Sequence, residues 1–442
     1  MQENILSRSF SPLSILRFSF PNIVMMIFLS LYTIVDGMFI SRLVSTIALS
    51  AVNIAYPISS VQLGIGIMIG TGGSAIIAKK MGEQKIEEAR KDFTSFVLFS
   101  IFLGVFIAIV SLIFLDPILI FLGSSKVQMP LCHVYTYILM LFTPMLFLQA
   151  AFQSFFVAAG KPNLGLIAIV LGGIGNVILD YLFMGIFHWG IAGAAIATGI
   201  GYSIPACIGI FYFIVNKKQP LYFEKTKIHF SIVLQGCMNG ISEMISNVSV
   251  AVTTFLFNLI FMYYWKEEGV AAITIVMYYQ FVFSSIFIGF SLGIAPIISY
   301  KYGAKDYIQL KNITRFGIIF VIACAIIAYG ISMLTIQQSL SLFTENKIVF
   351  QLVLEGFPIF ASSFLLMGIS IFASGFFTAL NNGIVSGIIS FVRTFLFLIV
   401  CMLLFPYWFG SRGIWWAVPI AELLGVFVSA FFLIKNKQIY HY

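Results

Sequence analysis

An all-α membrane protein, with twelve transmembrane helices in two pseudo-symmetric six-helix bundles, is predicted by three features of the sequence. Apolar residues fill 60% of the 442 positions and charged residues only 9%, whereas a soluble protein carries about 25% charged residues. Apolar runs long enough for the ~30 Å hydrocarbon core, about 20 residues each, recur along the chain. One glycine-rich pattern occurs twice. Residues 64–91 carry Gly64, Gly66, Gly72, Lys80, Gly82 and Lys91, and residues 285–311 carry Gly289, Gly293, Lys301, Gly303 and Lys311. Aligning Gly82 with Gly303 also sets Gly72 on Gly293 and Lys80 on Lys301. A membrane chain written twice implies a transport path between its halves.

The helices follow in order. The first is read over 14–40, after 13 polar or mixed residues with no cleavable signal pattern. It holds Pro21, a bend point. The second, 46–75, is glycine-rich and runs into KKMG. Helices at 93–115, 129–158, 163–185 and 190–214 complete the first half. The second half repeats the series at 230–261, 269–298, 313–336, 348–379, 384–408 and 413–434. Polar breaks separate them: AGKPN at 159–163, NKKQP at 216–220, TEN at 344–346 and LNNG at 380–383. The domains are then an N-terminal lobe, 1–214, a cytoplasmic linker, 215–229, and a C-terminal lobe, 230–442. EKTKIHF at 224–230 is expected to form an amphipathic cytoplasmic helix.

Basic residues fix the orientation. With both termini inside, 18 lysines and arginines fall on the inner side and five (Arg42, Lys126, Lys266, Lys347, Arg412) on the outer side. Such asymmetry places both termini in the cytoplasm and makes the halves parallel repeats, related by an axis normal to the membrane. The pI near 9.1 reflects this lysine distribution and not nucleic-acid binding. The five cysteines lie in spans without paired spacing, so free thiols are expected. A multi-pass protein of the cytoplasmic (inner) membrane, with the lipid bilayer as its surroundings and a monomeric state, is the expectation.

Four acids sit deep in spans: Asp36, Asp180, Glu243 and Glu422. A charge at a helix centre costs about 2.5–3.5 kcal/mol on insertion scales. Arg393 is the basic residue that lies deep within a span, and it can neutralise one of them, with Glu422 the strongest candidate. Asp180 follows Asn176 by four residues, on one face of the fifth helix. Thr198 lies in the next helix, inside GIAGAAIATGIG, whose small residues allow close approach. Two carboxylates, an amide and a hydroxyl suit a hard monovalent cation, Na⁺ or H⁺. By the repeat, Asp36 falls on Thr254, Asn176 on Leu396 and Asp180 on Val400, so the second half does not copy the cluster. Glu243 falls opposite Met25.

At these residues the chain resembles the bacterial branches of the multidrug and toxic compound extrusion (MATE) family. The likeness rests on PNIVMMIFLSLYTIVDGMFISRL, the glycine-rich second helix with KKMG, and NVILDYLF followed by GIAGAAIATGIG. It implies two six-helix lobes around a V-shaped cavity and cation-coupled export of organic cations. It also implies an N-lobe cation site at Asp36, Asn176, Asp180 and Thr198, with Tyr32 and Tyr135 hydrogen-bonding around it. The family often has arginine where this chain has Tyr137. Some branches pair the seventh-helix glutamate with an acid in the tenth helix, and 364–379 hold none.

Of the 48 phenylalanines, most are expected to pack or face lipid. Gln153, Glu243, Met277 and Tyr278 are candidates to line a cavity for flat hydrophobic cations. The function expected is therefore a secondary antiporter exporting amphipathic, often cationic drugs in exchange for Na⁺ or H⁺. The coupling ion stands in place of a cofactor. No GxxxxGK[ST] motif offers ATP. The alternative is a lipid-linked saccharide flippase of the same broad superfamily, against which the acidic deep charges argue. An acyl or prenyl transferase would need a His–Asp or DDxxD cluster, and none is visible. The histidines have no metal spacing, so no metal beyond Na⁺ is expected.

Overall fold

The computed structural model describes residues 5–344 and 346–442. Glu345, in the predicted break at 344–346, lies outside them. So do residues 1–4 of the leading polar stretch. Among the described residues there are eight long apolar helical segments and two bent helix pairs. Two of the eight segments, of 63 and 58 residues, are each long enough for two crossings, which makes twelve.

The first six crossings are α1 (Pro12–Leu43), α2 (Thr46–Gly82), α3 (Ile86–Ile113), α4 (Met129–Leu141 with Thr143–Ala158), α5 (Pro162–Asp180, continued by a π-helical turn at Tyr181–Ile186) and α6 (Gly190–Val215). The next begins at Phe230–Asn239 and enters the 63-residue helix Ile241–Gly303. That helix breaks at Lys266, whose φ is 53°. Its arms, 241–265 and 267–303, complete α7 and form α8. Then come α9 (Tyr307–Phe343), α10 (Lys347–Ala361 with Phe364–Ala379), α11 (Gly383–Phe391, a π-helical turn at Val392–Phe397, then Leu398–Phe409) and α12 (Gly413–Tyr440).

Several helices run longer than the apolar pattern, because their amphipathic lysine-bearing ends continue past the bilayer. Pro21 lies inside α1, which is helical without interruption from Pro12 to Leu43. α4 and α10, expected to be single helices, are bent by 56° and 47°. Pro144 sits in the first turn of the second α4 segment, where it lacks an N–H and crowds the preceding turn. In α10 the Ser362 hydroxyl donates to the Ile359 carbonyl at 2.6 Å, drawing a backbone acceptor out of the helical ladder.

The stretch 224–229 corrects the amphipathic-helix expectation, since residues 221–229 have no regular secondary structure. α3 satisfies their backbone groups directly. Thr94 Oγ1 accepts from the Glu224 amide (3.1 Å), and the Ser95 hydroxyl donates to the Lys227 carbonyl (3.2 Å). Arg90 Nε donates to the Pro220 carbonyl (2.9 Å) and stacks its guanidinium over Tyr222. With its hydrogen bonds met from outside, the segment has no need of helical ones.

The repeat is visible in backbone detail. Gln84 and Lys305, equivalent by the glycine alignment, both take left-handed φ, 63° and 57°. Each ends its helix the same way: the Lys85 amide bonds the Lys80 carbonyl, and the Asp306 amide bonds the Lys301 carbonyl, both at 2.9 Å. Gly160 and Asn381 form a second such pair, with φ 73° and 59°.

Contacts between the first six and last six crossings are also reciprocal. A Cβ built on Gly82 would lie 2.1 Å from the Tyr300 carbonyl oxygen, and one on Gly303 would lie 2.1 Å from that of Lys79. Lys79 and Tyr300 are themselves repeat partners. Gly72 meets Gly236 and Gly240 on α7, whereas Gly293 meets Ser19 and Asn22 on α1. Glycine permits these backbone-to-backbone crossings because any side chain would hold the helices apart. Further from the basic end, Ser60 donates to the Asn247 carbonyl (2.9 Å), and the Ser30 and Ser285 hydroxyls pair. The halves are thus joined from the basic end to mid-membrane.

Phenylalanine fills both interiors. Phe93 packs with Phe155, Phe213 and Phe223 in the first half. In the second, Phe261 meets Trp415 edge-on and Phe257 lies against Phe360.

Candidate functional site

α5 and α6 cross closely because glycine faces glycine. A Cβ on Gly172 would be 2.7 Å from the Gly201 carbonyl, and one on Gly201 would be 3.1 Å from Asn176 Cβ. This brings Asn176 and Thr198 together: Asn176 Nδ2 donates to Thr198 Oγ1 (3.5 Å), and the Thr198 hydroxyl donates to the Ala194 carbonyl (2.9 Å). Both are buried, as is Asp180 one helical turn beyond Asn176. α5 switches to its π-helical turn immediately after Asp180, a local widening often found at functional positions.

α1 supplies Asp36, whose carboxyl group lies within hydrogen-bonding reach of that of Asp180. Two carboxylates cannot donate to each other. Accordingly both oxygens of Asp180, Oδ1 of Asp36 and Oδ1 of Asn176 have no hydrogen-bond partner. Four buried acceptors with nothing to accept form an electronegative pocket. Its chemistry suits a hard cation with oxygen ligands, or a proton shared by the pair. Tyr32 and Tyr135 stand in the same electrostatic neighbourhood. So does Tyr202, on α6. Sequence reasoning passed over Tyr202, although it follows Thr198 by four residues and so shares its helix face.

The other candidates lie elsewhere. Gln153 approaches Met26 on α1, with Nε2 3.8 Å from the sulfur. Glu243 opens onto a small cavity between the halves, lined by Thr71, Ser74, Ser154, Ser291 and Thr378. Met277 is half-buried and Tyr278 exposed on α8. Fourteen residues separate Met277 from Ser291, about 20 Å along a helix, so Glu243 does not join Met277 and Tyr278 in one group. Glu422, buried on α12, accepts from Arg393 Nε on α11 at 3.0 Å, and the arginine is partly buried. Among the described residues no three His, Cys, Asp or Glu side chains gather as a metal centre.

The MatE family model matches residues 21–182 and again residues 243–403. The chain belongs to the MatE family. Relatives of this MatE chain include the multidrug export protein MepA of Staphylococcus aureus strain N315, 25% identical over 419 residues, which cover 93% of this chain and 91% of that protein. MepA of Staphylococcus haemolyticus is 25% identical over 428 residues, 96% and 94% of the two chains. The fold is similar to that of an outward-facing multidrug resistance MATE transporter of the MOP superfamily, with TM-score 0.93, 21% identity and 100% and 99% coverage. It is also similar to a MOP superfamily transporter from Pyrococcus furiosus, at TM-score 0.91, 20% identity and 99% and 98% coverage. MatE membership makes the chain a membrane transporter and removes the acyl or prenyl transferase reading.

Proposed function

We propose that this MatE-family chain exports amphipathic, often cationic drugs across the cytoplasmic membrane, driven by entry of Na⁺ or H⁺ at Asp36 and Asp180. The observation that carries the reading is the acidic pocket in the first half, where Asp36 and Asp180 are neighbours and oxygens of Asp36, Asn176 and Asp180 have no partner. The export of drugs by the two MepA relatives supports the substrate class. A monovalent cation or proton cancels one of the pair's two negative charges and ties α1 to α5. Loss of that charge frees the pair to attract a drug cation, so the two occupants exclude one another and coupling follows. Each charge moving inward contributes about 2.3 kcal/mol per 100 mV.

The chain works as two lobes, 1–214 and 230–442, joined by the segment 215–229. The two family matches and the reciprocal glycine crossings support this division. Their basic ends face the cytoplasm, with both termini. The glycine crossings then close the cytoplasmic side in the state described, and export requires them to separate. A lipid-linked saccharide flippase needs a basic cavity for pyrophosphate, and the acidic pocket of this chain is unsuited to it.

Drug accumulation in cells expressing the chain tests the function. Expression should lower it, and varying the Na⁺ and pH gradients should change the effect. Accumulation unaffected by expression would remove the reading. Topology has its own test in single-cysteine variants of a cysteine-free chain. A membrane-impermeant thiol reagent outside intact cells should label position 126 or 347 and spare 85 or 305. The reverse pattern would invert the orientation.

A further inference from the structure

The Arg393–Glu422 pair is absorbed neither by the first-half site nor by the packing of the halves. It occupies a place the repeat makes meaningful. Gly190 and Gly413 both open the last helix of their half. Aligning them sets Thr198 on Ala421, Gly199 on Glu422 and Tyr202 on Gly425. The offset that pairs Gly160 with Asn381, just before the fifth helix of each half, puts Gly172 on Arg393. The ion pair therefore spans the fifth and sixth helices of its bundle at the level where the first half holds Asn176, Thr198 and Tyr202.

The local geometry is built around the guanidinium. Arg393 sits in the π-helical turn of α11. Its stem crosses α12 at Gly425, where a Cβ would fall 3.0 Å from Arg393 Cγ and 3.3 Å from Ser370 Oγ. The larger side chain of Tyr202 fills that position in the first half. Beyond the single bond to Arg393, acceptors are left over. Glu422 Oε2 and the hydroxyls of Ser370 and Ser429, all buried, have no partner. Glu243, on α7, also lies within Coulombic range of Arg393.

We infer that the second half carries its cation built in: the Arg393 guanidinium stands beside Glu422 where the first half takes an exchangeable cation, and so masks a latent site for Na⁺ or a proton. The inference rests on the cation reading of Asp36 and Asp180. It extends that reading, because one half then changes charge during the cycle while the other keeps a fixed charge. Without the guanidinium, Glu422 and the Ser370 hydroxyl would present oxygen ligands alone, the kind of donor a hard cation takes.

Thermal unfolding of the purified full chain in detergent tests this, with Na⁺ titrated against choline at constant ionic strength and pH varied separately. Wild type should respond to one of the two cations, and Asp36→Asn/Asp180→Asn should respond to neither. Adding Arg393→Gln to that double variant should restore a shift of about 2 °C or more at saturating cation. Adding Glu422→Gln on top should erase it. A chain that gains no response from Arg393→Gln, or keeps the response without Glu422, overturns the inference. A wild type without any response would instead refute the first-half reading.

Carbodiimide modification of the wild-type chain gives a second measurement that does not depend on how Arg393→Gln folds. The reagent should mark Asp36 or Asp180, with protection by the coupling cation, and leave Glu422 unmodified. Cation-protected modification of Glu422 would show an exchangeable site there and overturn the assignment.

Discussion

Asp180→Asn is expected to abolish coupled export while leaving the fold intact. The substitution removes one of two neighbouring carboxylates, and neither oxygen of Asp180 accepts a hydrogen bond. A charge-assisted contact contributes about 1.5–3 kcal/mol, so cation affinity should fall roughly 10- to 150-fold. Stability should hold or rise, because an uncompensated buried charge has been removed. The new amide can also donate to Oδ1 of Asp36 and of Asn176, which lack a donor at present. Glu243→Gln should do less damage, or change which drugs leave, because Glu243 faces a hydroxyl-lined cavity between the halves and not the carboxylate pair. Efflux at matched membrane expression, with thermal unfolding alongside, separates these outcomes. Full transport by Asp180→Asn with loss in Glu243→Gln would move the coupling site to the second half.

A comparably large effect is expected from Gly82→Val or Gly303→Val. At both positions the obstructing atom is a backbone carbonyl of the opposing helix, 2.1 Å from the added Cβ. A backbone atom inside a packed helix cannot rotate away, so α2 and α8 must separate at their basic ends. The state closed on that side would be lost, and with it turnover. Gly330→Val provides the control, because a Cβ there meets nothing within 4 Å. Efflux should fall to background in the first two variants and stay near wild type in the third. A thiol reagent applied from the basic side should also reach a cysteine at position 74 faster in Gly82→Val. Near-normal efflux by both Gly82→Val and Gly303→Val would show that the crossing is not needed.

The twelve crossings were legible in the sequence because each buries an apolar run, and the repeat was legible because backbone-to-backbone crossings admit only glycine. Gly72, Gly82, Gly293 and Gly303 are such positions. Asn176, Asp180 and Thr198 could be placed together from helical spacing and the small residues of α6. Tyr202 carried the same spacing signal but looked like one aromatic residue among many. The partner of Glu422 was readable because Arg393 was the basic residue deep within a span. The bends in α4 and α10 were obscured by unbroken hydropathy, which does not change where a helix turns within the bilayer. The segment 221–229 misled for another reason: its structure is set by Arg90, Thr94 and Ser95, more than a hundred residues away. Grouping Glu243 with Met277 and Tyr278 ignored depth, since residues on neighbouring helices meet only at the same level of the membrane.

The central claim is that a cation bound between Asp36 and Asp180 drives export. Purified chain in sealed proteoliposomes tests it most directly. Release of a preloaded fluorescent drug cation is followed under an imposed Na⁺ gradient, then under an imposed pH gradient, for wild type and Asp36→Asn. One of the two gradients should accelerate release by wild type, and neither should accelerate release by Asp36→Asn. Equal acceleration in both proteins, or a wild type indifferent to both gradients, would contradict the account.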